Sequence, residues 1–314
     1  MTFKHISSKT IFIIAVAVVI ALNLYTLILA YPQTYTPSNG ITPSAPILAK
    51  DFSAYYMGAW RLWNNPSHIY ASGTLNDGEP LILPHPETYK YLPSFLLLVS
   101  PFLTLSYQRA LTAFDIVQFL MLPFIAFFIY KIQNGKPLAV TFIVTLIALF
   151  LPLPFPQYGF SPSYYWQWGE GQAKVFVTFL LLLCFYLGWR DKPLLSGIAF
   201  AFGFFDPRFG LLAIPLFVSF NRKNLKLAGV SAVVSLLLSN GMLLVSGIGS
   251  SFVTMVFSNA VATPLFYYSL IPLVTLSVLI AVNFKDEGRA FGLIKTSSPS
   301  TGTKKTVERQ PKTP

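Results

Sequence analysis

The sequence predicts an all-α polytopic membrane protein with about eight transmembrane helices, and three observations carry that expectation. First, 54% of the 314 residues are apolar and only 11% are charged, against about 25% charged in a soluble globular domain. Second, several stretches approach or exceed the roughly 20 apolar residues that a bilayer-crossing helix needs. Third, the 22 Lys and Arg residues against 11 Asp and Glu recur in short loops between those stretches, the pattern expected of cytoplasmic loops. A formal charge of +11 in so apolar a chain points to membrane orientation and not to nucleic acid. The one cysteine excludes an internal disulfide framework. Three histidines leave little material for a histidine-rich metal centre.

Thr10 to Tyr31 is the first expected span. Lys4 and Lys9 precede it, as in a signal peptide, but its apolar core is too long for an h-region and no A-x-A-like cleavage site follows. It is read as uncleaved. The first outer loop covers residues 32–109 and opens with a Pro/Thr/Ser-rich stretch at 32–50. Phe52, Tyr55, Tyr56, Ala59, Trp60 and Trp63 then recur at helical spacing, with Met57 and Arg61 off the stripe. A short helix with a Tyr/Trp face suits the headgroup boundary. Asp51 stands at its entrance, where it caps the helix and complements its dipole, or turns its carboxylate to a cavity rim; the two roles are compatible. His68, Tyr70, a polar turn from Gly73 to Pro80, Leu83-Pro84-His85-Pro86 and Tyr89-Lys90-Tyr91-Leu92-Pro93 follow. Lys90 between two tyrosines suits a lipid-carrier phosphate or an ordinary interfacial anchor. Tyr91 to Leu105 is short and holds Pro93 and Pro101, so it is expected as an interfacial helix and not a span.

Further spans are expected at Ala110 to Tyr130, Pro137 to Pro154, Val175 to Trp189, Leu227 to Gly247 and Pro264 to Phe284. Between Pro193 and Phe220 the Asp206-Pro207-Arg208 run breaks the pattern. Proline and two charges at a bilayer centre are costly, so two short helices around a polar tip are expected there. This makes eight spans with both termini cytoplasmic. It places Lys131, Lys136, Arg190, Lys192, Arg222, Lys223 and Lys226 inside with the two termini. The transmembrane domain is then 1–284, with outer loops at 155–174 and about 248–263. The tail, 285–314, is expected to be disordered, basic and cytoplasmic, within reach of anionic headgroups. Asp115 lies within a span near its outer end, where it pairs with Gln118 or Arg109 or serves function. Cys184 is expected to be a packing residue.

Asp51-Phe52, Tyr55-Tyr56, Ala59, Tyr70 and Tyr91-x-Pro93 before an apolar helix resemble glycosyltransferase family 87, a branch of the GT-C membrane glycosyltransferases. Gly171-Gln172, the span after it, Ser196 to Ala201, Pro207 and Leu211 to Phe217 extend the resemblance over about residues 10–220. The resemblance implies a GT-C-like fold with its active site open to the outer leaflet of the plasma membrane. It implies transfer of a hexose, usually mannose, from a polyprenyl phosphate to a lipid- or glycan-linked acceptor with inversion. The acidic residue of the first outer loop is then the general base, and Asp51 holds that position. Asp206 stands where the family usually has lysine, Lys174 where it often has asparagine, and the chain is shorter than typical members.

An inverting transfer needs a base for the acceptor hydroxyl and cationic groups for the departing phosphate. Asp51 is the candidate base. Lys90, Arg208, Lys174 and His85 are the phosphate candidates; Arg208 can alternatively pair with Asp206 at the hairpin tip. Tyr55, Tyr56, Trp166, Glu170 and Gln172 are candidates for sugar or acceptor binding, and the aromatic loop around Trp166 equally suits an interfacial belt. No Walker or Rossmann motif supports a nucleotide cofactor. No dense carboxylate cluster supports a two-metal centre, and a single divalent ion at Asp51 and Glu170 is the one metal alternative. The expected partners are membrane lipids, the polyprenyl-phosphate sugar, its acceptor and a possible partner subunit. The competing readings are a catalytically silent relative that scaffolds glycan assembly, and a small transporter, which should show paired interrupted helices where only one pair is visible.

Overall fold

The computed structural model describes residues 7–34, 50–71, 78–80, 88–132, 168, 171–244 and 247–262, and among them all regular structure is helical. The helices are α1 (Ser8–Thr34), α2 (Lys50–Asn64), α3 (Pro93–Val99), α4 (Tyr107–Ile132), α5 (Lys174–Trp189), α6 (Pro193–Gly203), α7 (Pro207–Asn221), α8 (Leu225–Asn240) and α9 (Ile248–Ala262). Pro93, Pro193 and Pro207 each open a helix, where the missing N–H has no partner to lose. The expected spans at Pro137 to Pro154 and Pro264 to Phe284, the tail, and most of the 155–174 loop lie outside the described residues.

Side-chain pairs fix how the helices run. Phe114 stacks on Phe176 at 5.1 Å and Phe128 on Tyr186 at 5.2 Å, so α4 and α5 run parallel. Phe12 lies 5.3 Å from Tyr130, which sets the start of α1 against the end of α4. The Trp168 indole N–H donates to Asn23 Oδ1 at 3.1 Å, and Trp168 also lies beside Phe119. The end of α5, the start of α6 and the end of α7 meet in a buried polar knot. Ser196 donates to the Cys184 carbonyl at 2.9 Å, and Asn221 Nδ2 donates to Ser196 Oγ at 2.9 Å. Cys184 is buried in that packing. Nearby, Lys223 reaches Asp191 at 3.5 Å across an exposed surface. Gly197 lets α6 and α8 touch backbone to backbone: a Cβ there would stand 2.5 Å from the Ala228 carbonyl oxygen.

The helices therefore have two ends. One gathers Lys9, Lys131, Arg190, Lys192, Arg222, Lys223 and Lys226 at helix termini. The other gathers the starts of α4 and α5, the α6–α7 turn, the end of α8, and α2 with α3. Apolar side chains also cover the outside: Ile116, Leu120, Phe124 and Phe127 on α4 and Val230, Val233, Leu237 and Leu238 on α8 are exposed. A helix apolar on every face is suited to a core or to lipid, not to water. Two described runs, Tyr107–Ile132 and Phe209–Leu244, are long and apolar enough to cross a membrane. The second comprises most of α7, the 3-10 turn Arg222–Asn224, all of α8 and the 3-10 turn Gly241–Leu244.

The structure adds one element and changes two expectations. Helix α9 occupies 248–262, a segment for which the sequence predicted a side of the membrane but no helix. The Tyr/Trp stripe of α2 was expected at the headgroup boundary with Met57 and Arg61 off it. Instead residues 52–59 are buried on both sides of the helix, Met57 included. Arg61 is buried too: its Nε and Nη2 hold Glu79 at 2.5 and 3.2 Å, and its Nη1 donates to the Ala71 carbonyl at 2.8 Å. Of the stripe, Trp63 does stand out, 64% exposed, with its indole N–H on Ser100 Oγ at 2.7 Å.

Candidate functional site

The motifs scattered along the sequence meet at one end of the helices. Asp51 lies in the first turn of α2, partly exposed, where the helix N-terminus favours negative charge. One turn on, Tyr55 is buried beneath it. Burial first, then Tyr91 and Asp51, hold the Tyr55 phenol well above its ordinary range, so it stays a neutral hydroxyl. Tyr91 is the hub of this layer, with ring centroids 5.6 Å from Tyr55, 6.0 Å from Tyr89 and 5.6 Å from Phe205.

The Tyr89–Pro93 segment is locked in place by its own backbone. Tyr89 donates to the Leu92 carbonyl at 2.6 Å, Tyr70 donates to the Tyr91 carbonyl at 2.9 Å, and Leu92 N–H donates to the Phe205 carbonyl at 2.8 Å. Ser94 N–H, at the open N-terminus of α3, donates to Asn240 Oδ1 at 2.8 Å. Asn240 thus caps a helix 146 residues away, a contact of the kind worth about 1 kcal/mol. Phe95 stacks on Phe205 at 4.2 Å. The α6–α7 turn is thereby seated on the Tyr91 layer. Asp206 follows Phe205, is buried, and caps α7 with its carbonyl accepting from Phe209 and Gly210 N–H. Burial first, then Tyr70, Tyr91 and the Asp206 charge, raise the Tyr89 phenol well above the usual range.

Gly171 joins the second motif to the first. It has a φ of +67°, and a Cβ there would stand 2.6 Å from Phe52 Cβ and 3.2 Å from Leu111 Cδ1. Only glycine accepts both the left-handed backbone and the contact. Gln172 and Lys174 are therefore carried to the Asp51 end of α2.

The predicted residues fall into four groups. Asp51, Tyr55, Gln172 and Lys174 are brought to the same end, and Lys174 and Lys90 are exposed there. Tyr56 shares the layer, but its hydroxyl donates to the Leu105 carbonyl at 2.9 Å. Arg208 is the second residue of α7, which sets it beside the Tyr91 layer. His85, Trp166 and Glu170 lie outside the described residues. Sequence reasoning missed the anchoring role of Asn240 and the burial of Asp206; a lone asparagine closing an apolar helix was the available signal for the first. Chemically, the arrangement sets one accessible carboxylate over a neutral phenol layer, with amino groups at its rim. Among the described residues no group of three or more metal-ligating side chains forms. No family model, curated protein or solved structure matches the chain.

Proposed function

We infer that the chain is a multi-pass membrane glycosyltransferase of GT-C type. It moves a hexose, mannose by the family resemblance, from a polyprenyl phosphate to a lipid- or glycan-linked acceptor at the outer membrane face, with inversion. The observation that carries this reading is the assembly of the Asp51, Tyr91-x-Pro93, Gly171-Gln172 and Asp206-Pro207 segments at one helix end, opposite the end rich in Lys and Arg. That charge split supports the eight-span arrangement with both termini cytoplasmic and the site outside.

In this reading Asp51 takes the proton of the acceptor hydroxyl as that oxygen attacks the anomeric carbon. The bond from that carbon to the phosphate breaks, and the phosphate leaves as an anion. Lys90 and Lys174, with Arg208 at the start of α7, supply positive charge to it. The reaction then needs no metal. The alternative is a silent relative that binds lipid carriers within a glycan-assembly complex; the buried carboxylate of Asp206, where the resemblance expects a lysine, favours it.

Purified protein in lipid vesicles, given a panel of radiolabelled polyprenyl-phosphate sugars and a membrane-lipid extract as acceptor, separates the two. Transfer from one donor supports the enzyme and names its sugar. Donor binding without transfer supports the scaffold.

A further inference from the structure

We propose that the seam between α4 and α5, at the basic end of the helices, binds one anionic phospholipid, with its phosphate between Lys131 and Arg190 and an acyl chain along α4. This rests on the reading of α4 as a membrane-crossing helix and not on sugar transfer.

Helix α4 is apolar over most of its 26 residues, and Lys131 stands one residue before its end. A lysine there reaches the headgroups of a bilayer that the helix crosses. Helix α5 ends at Trp189, and Arg190 follows it. The two helices run parallel, with Phe128 stacked on Tyr186 at 5.2 Å. Lys131 lies three residues beyond Phe128 and Arg190 four beyond Tyr186. One helical turn therefore carries both cations to the same level, on the seam side of their helices.

A continuous chain of rings joins the two cations. Lys131 Nζ lies 5.6 Å from the Phe127 centroid, and Phe127 lies 6.0 Å from Tyr186. Tyr186 lies 6.0 Å from Trp189, and the Arg190 guanidinium lies 5.8 Å from the Trp189 ring. Each cation is thus steadied over a ring while staying exposed. Asp191 is next in the chain, but Lys223 donates to its carboxylate at 3.5 Å. Down α4 from Lys131, Phe127, Phe124 and Leu120 recur at helical spacing and are 43%, 56% and 58% exposed. Phe179 of α5 borders that track, 6.4 Å from Phe124.

This set of groups selects its ligand. Two cations at the edge of an aromatic belt suit a phosphate at headgroup depth, and the Arg190 guanidinium can hold it with two parallel N–H groups. The exposed apolar track suits an acyl chain, which a soluble anion lacks. A choline lipid offers the same phosphate but brings a third positive charge beside the two cations. The ligand is therefore a phospholipid of net negative charge.

Native mass spectrometry of the full chain in neutral detergent reads the affinity of the first bound lipid. The probes are phosphatidylglycerol, phosphatidylcholine with the same acyl chains, and glycerol phosphate. Wild type is expected to prefer phosphatidylglycerol over phosphatidylcholine by about 25-fold, about fivefold for each basic residue. Lys131→Gln with Arg190→Gln should abolish that preference, and Lys131→Arg with Arg190→Lys, which keeps both charges, should keep most of it. Lys192→Gln with Lys226→Gln removes the same charge from the same end and should leave the preference intact. Equal loss in that control pair would make the attraction diffuse and overturn the site. Displacement of phosphatidylglycerol by glycerol phosphate would overturn the lipid as ligand. Protein recovered in the soluble fraction without detergent would overturn the membrane placement of α4 and this site together, whereas either of the first two failures leaves the sugar-transfer reading standing.

Discussion

Gly171→Ala tests the contact that joins the two halves of the site. The added Cβ meets Phe52 Cβ at 2.6 Å, an atom one bond from the backbone that no rotamer change can move aside. It also meets Leu111 Cδ1 at 3.2 Å, which can rotate. The positive φ of +67° adds about 1–2 kcal/mol for any residue with a Cβ. Overpacking of this kind adds about 1–3 kcal/mol, so the variant should lose about 2–5 kcal/mol. Two other glycines separate the terms. Gly78 has a φ of +78° but open space around it, so Gly78→Ala carries the backbone term alone. Gly229 sits within α8 with nothing within 4 Å, so Gly229→Ala should stabilise, by up to about 1 kcal/mol. Denaturation in detergent, followed by tryptophan fluorescence, should rank the variants Gly229→Ala, wild type, Gly78→Ala and Gly171→Ala, from most to least stable. If Gly171→Ala proves no less stable than Gly78→Ala, Gly171 does not rest on α2 and the joined site falls with it.

Two further outcomes follow from buried polar groups. Arg61→Met leaves Glu79 buried without its partner and should cost about 3–5 kcal/mol, while Arg61→Met with Glu79→Leu should recover part of that loss; a double variant no more stable than the single one would refute the pairing. Tyr55, Tyr70 and Tyr89 all have phenol pKa values raised mainly by burial. The fold therefore prefers their neutral form, and that stability is fully present below the ordinary phenol value of about 10 and lost as pH rises above it. Tyrosinate absorbance in an alkaline titration should show these three ionising only with unfolding; their titration in the folded protein near pH 10 would contradict their burial.

The helices that were legible share one cause: their signal is local. Apolar length marked α1, α4, α5 and α8, and the Asp206-Pro207 pair marked the α6–α7 turn because proline and charge act where they stand. Helix α9 was not legible because Ser250, Ser251, Thr254 and Ser258 dilute its apolar pattern. The Asp51–Tyr55 relation is one helical turn and could be read from spacing. Arg61 could not, because its partners are Glu79 and a carbonyl at position 71, and periodicity only says which face it occupies. The cap from Asn240 to Ser94 and the seat of Gly171 on Phe52 join distant segments, and no local pattern announces either. Even so, Gly171-Gln172 stood out as a motif before its neighbour was known.

Transfer by Asp51→Asn protein, beside wild type and after its melting profile has been matched, tests the central claim most directly. Asparagine keeps a side-chain oxygen for the helix N-terminus but cannot take a proton. The account predicts a folded protein that still binds polyprenyl-phosphate sugar and transfers it about 100- to 10,000-fold more slowly. Transfer within tenfold of wild type would remove Asp51 from the base role and with it the catalytic reading of this site.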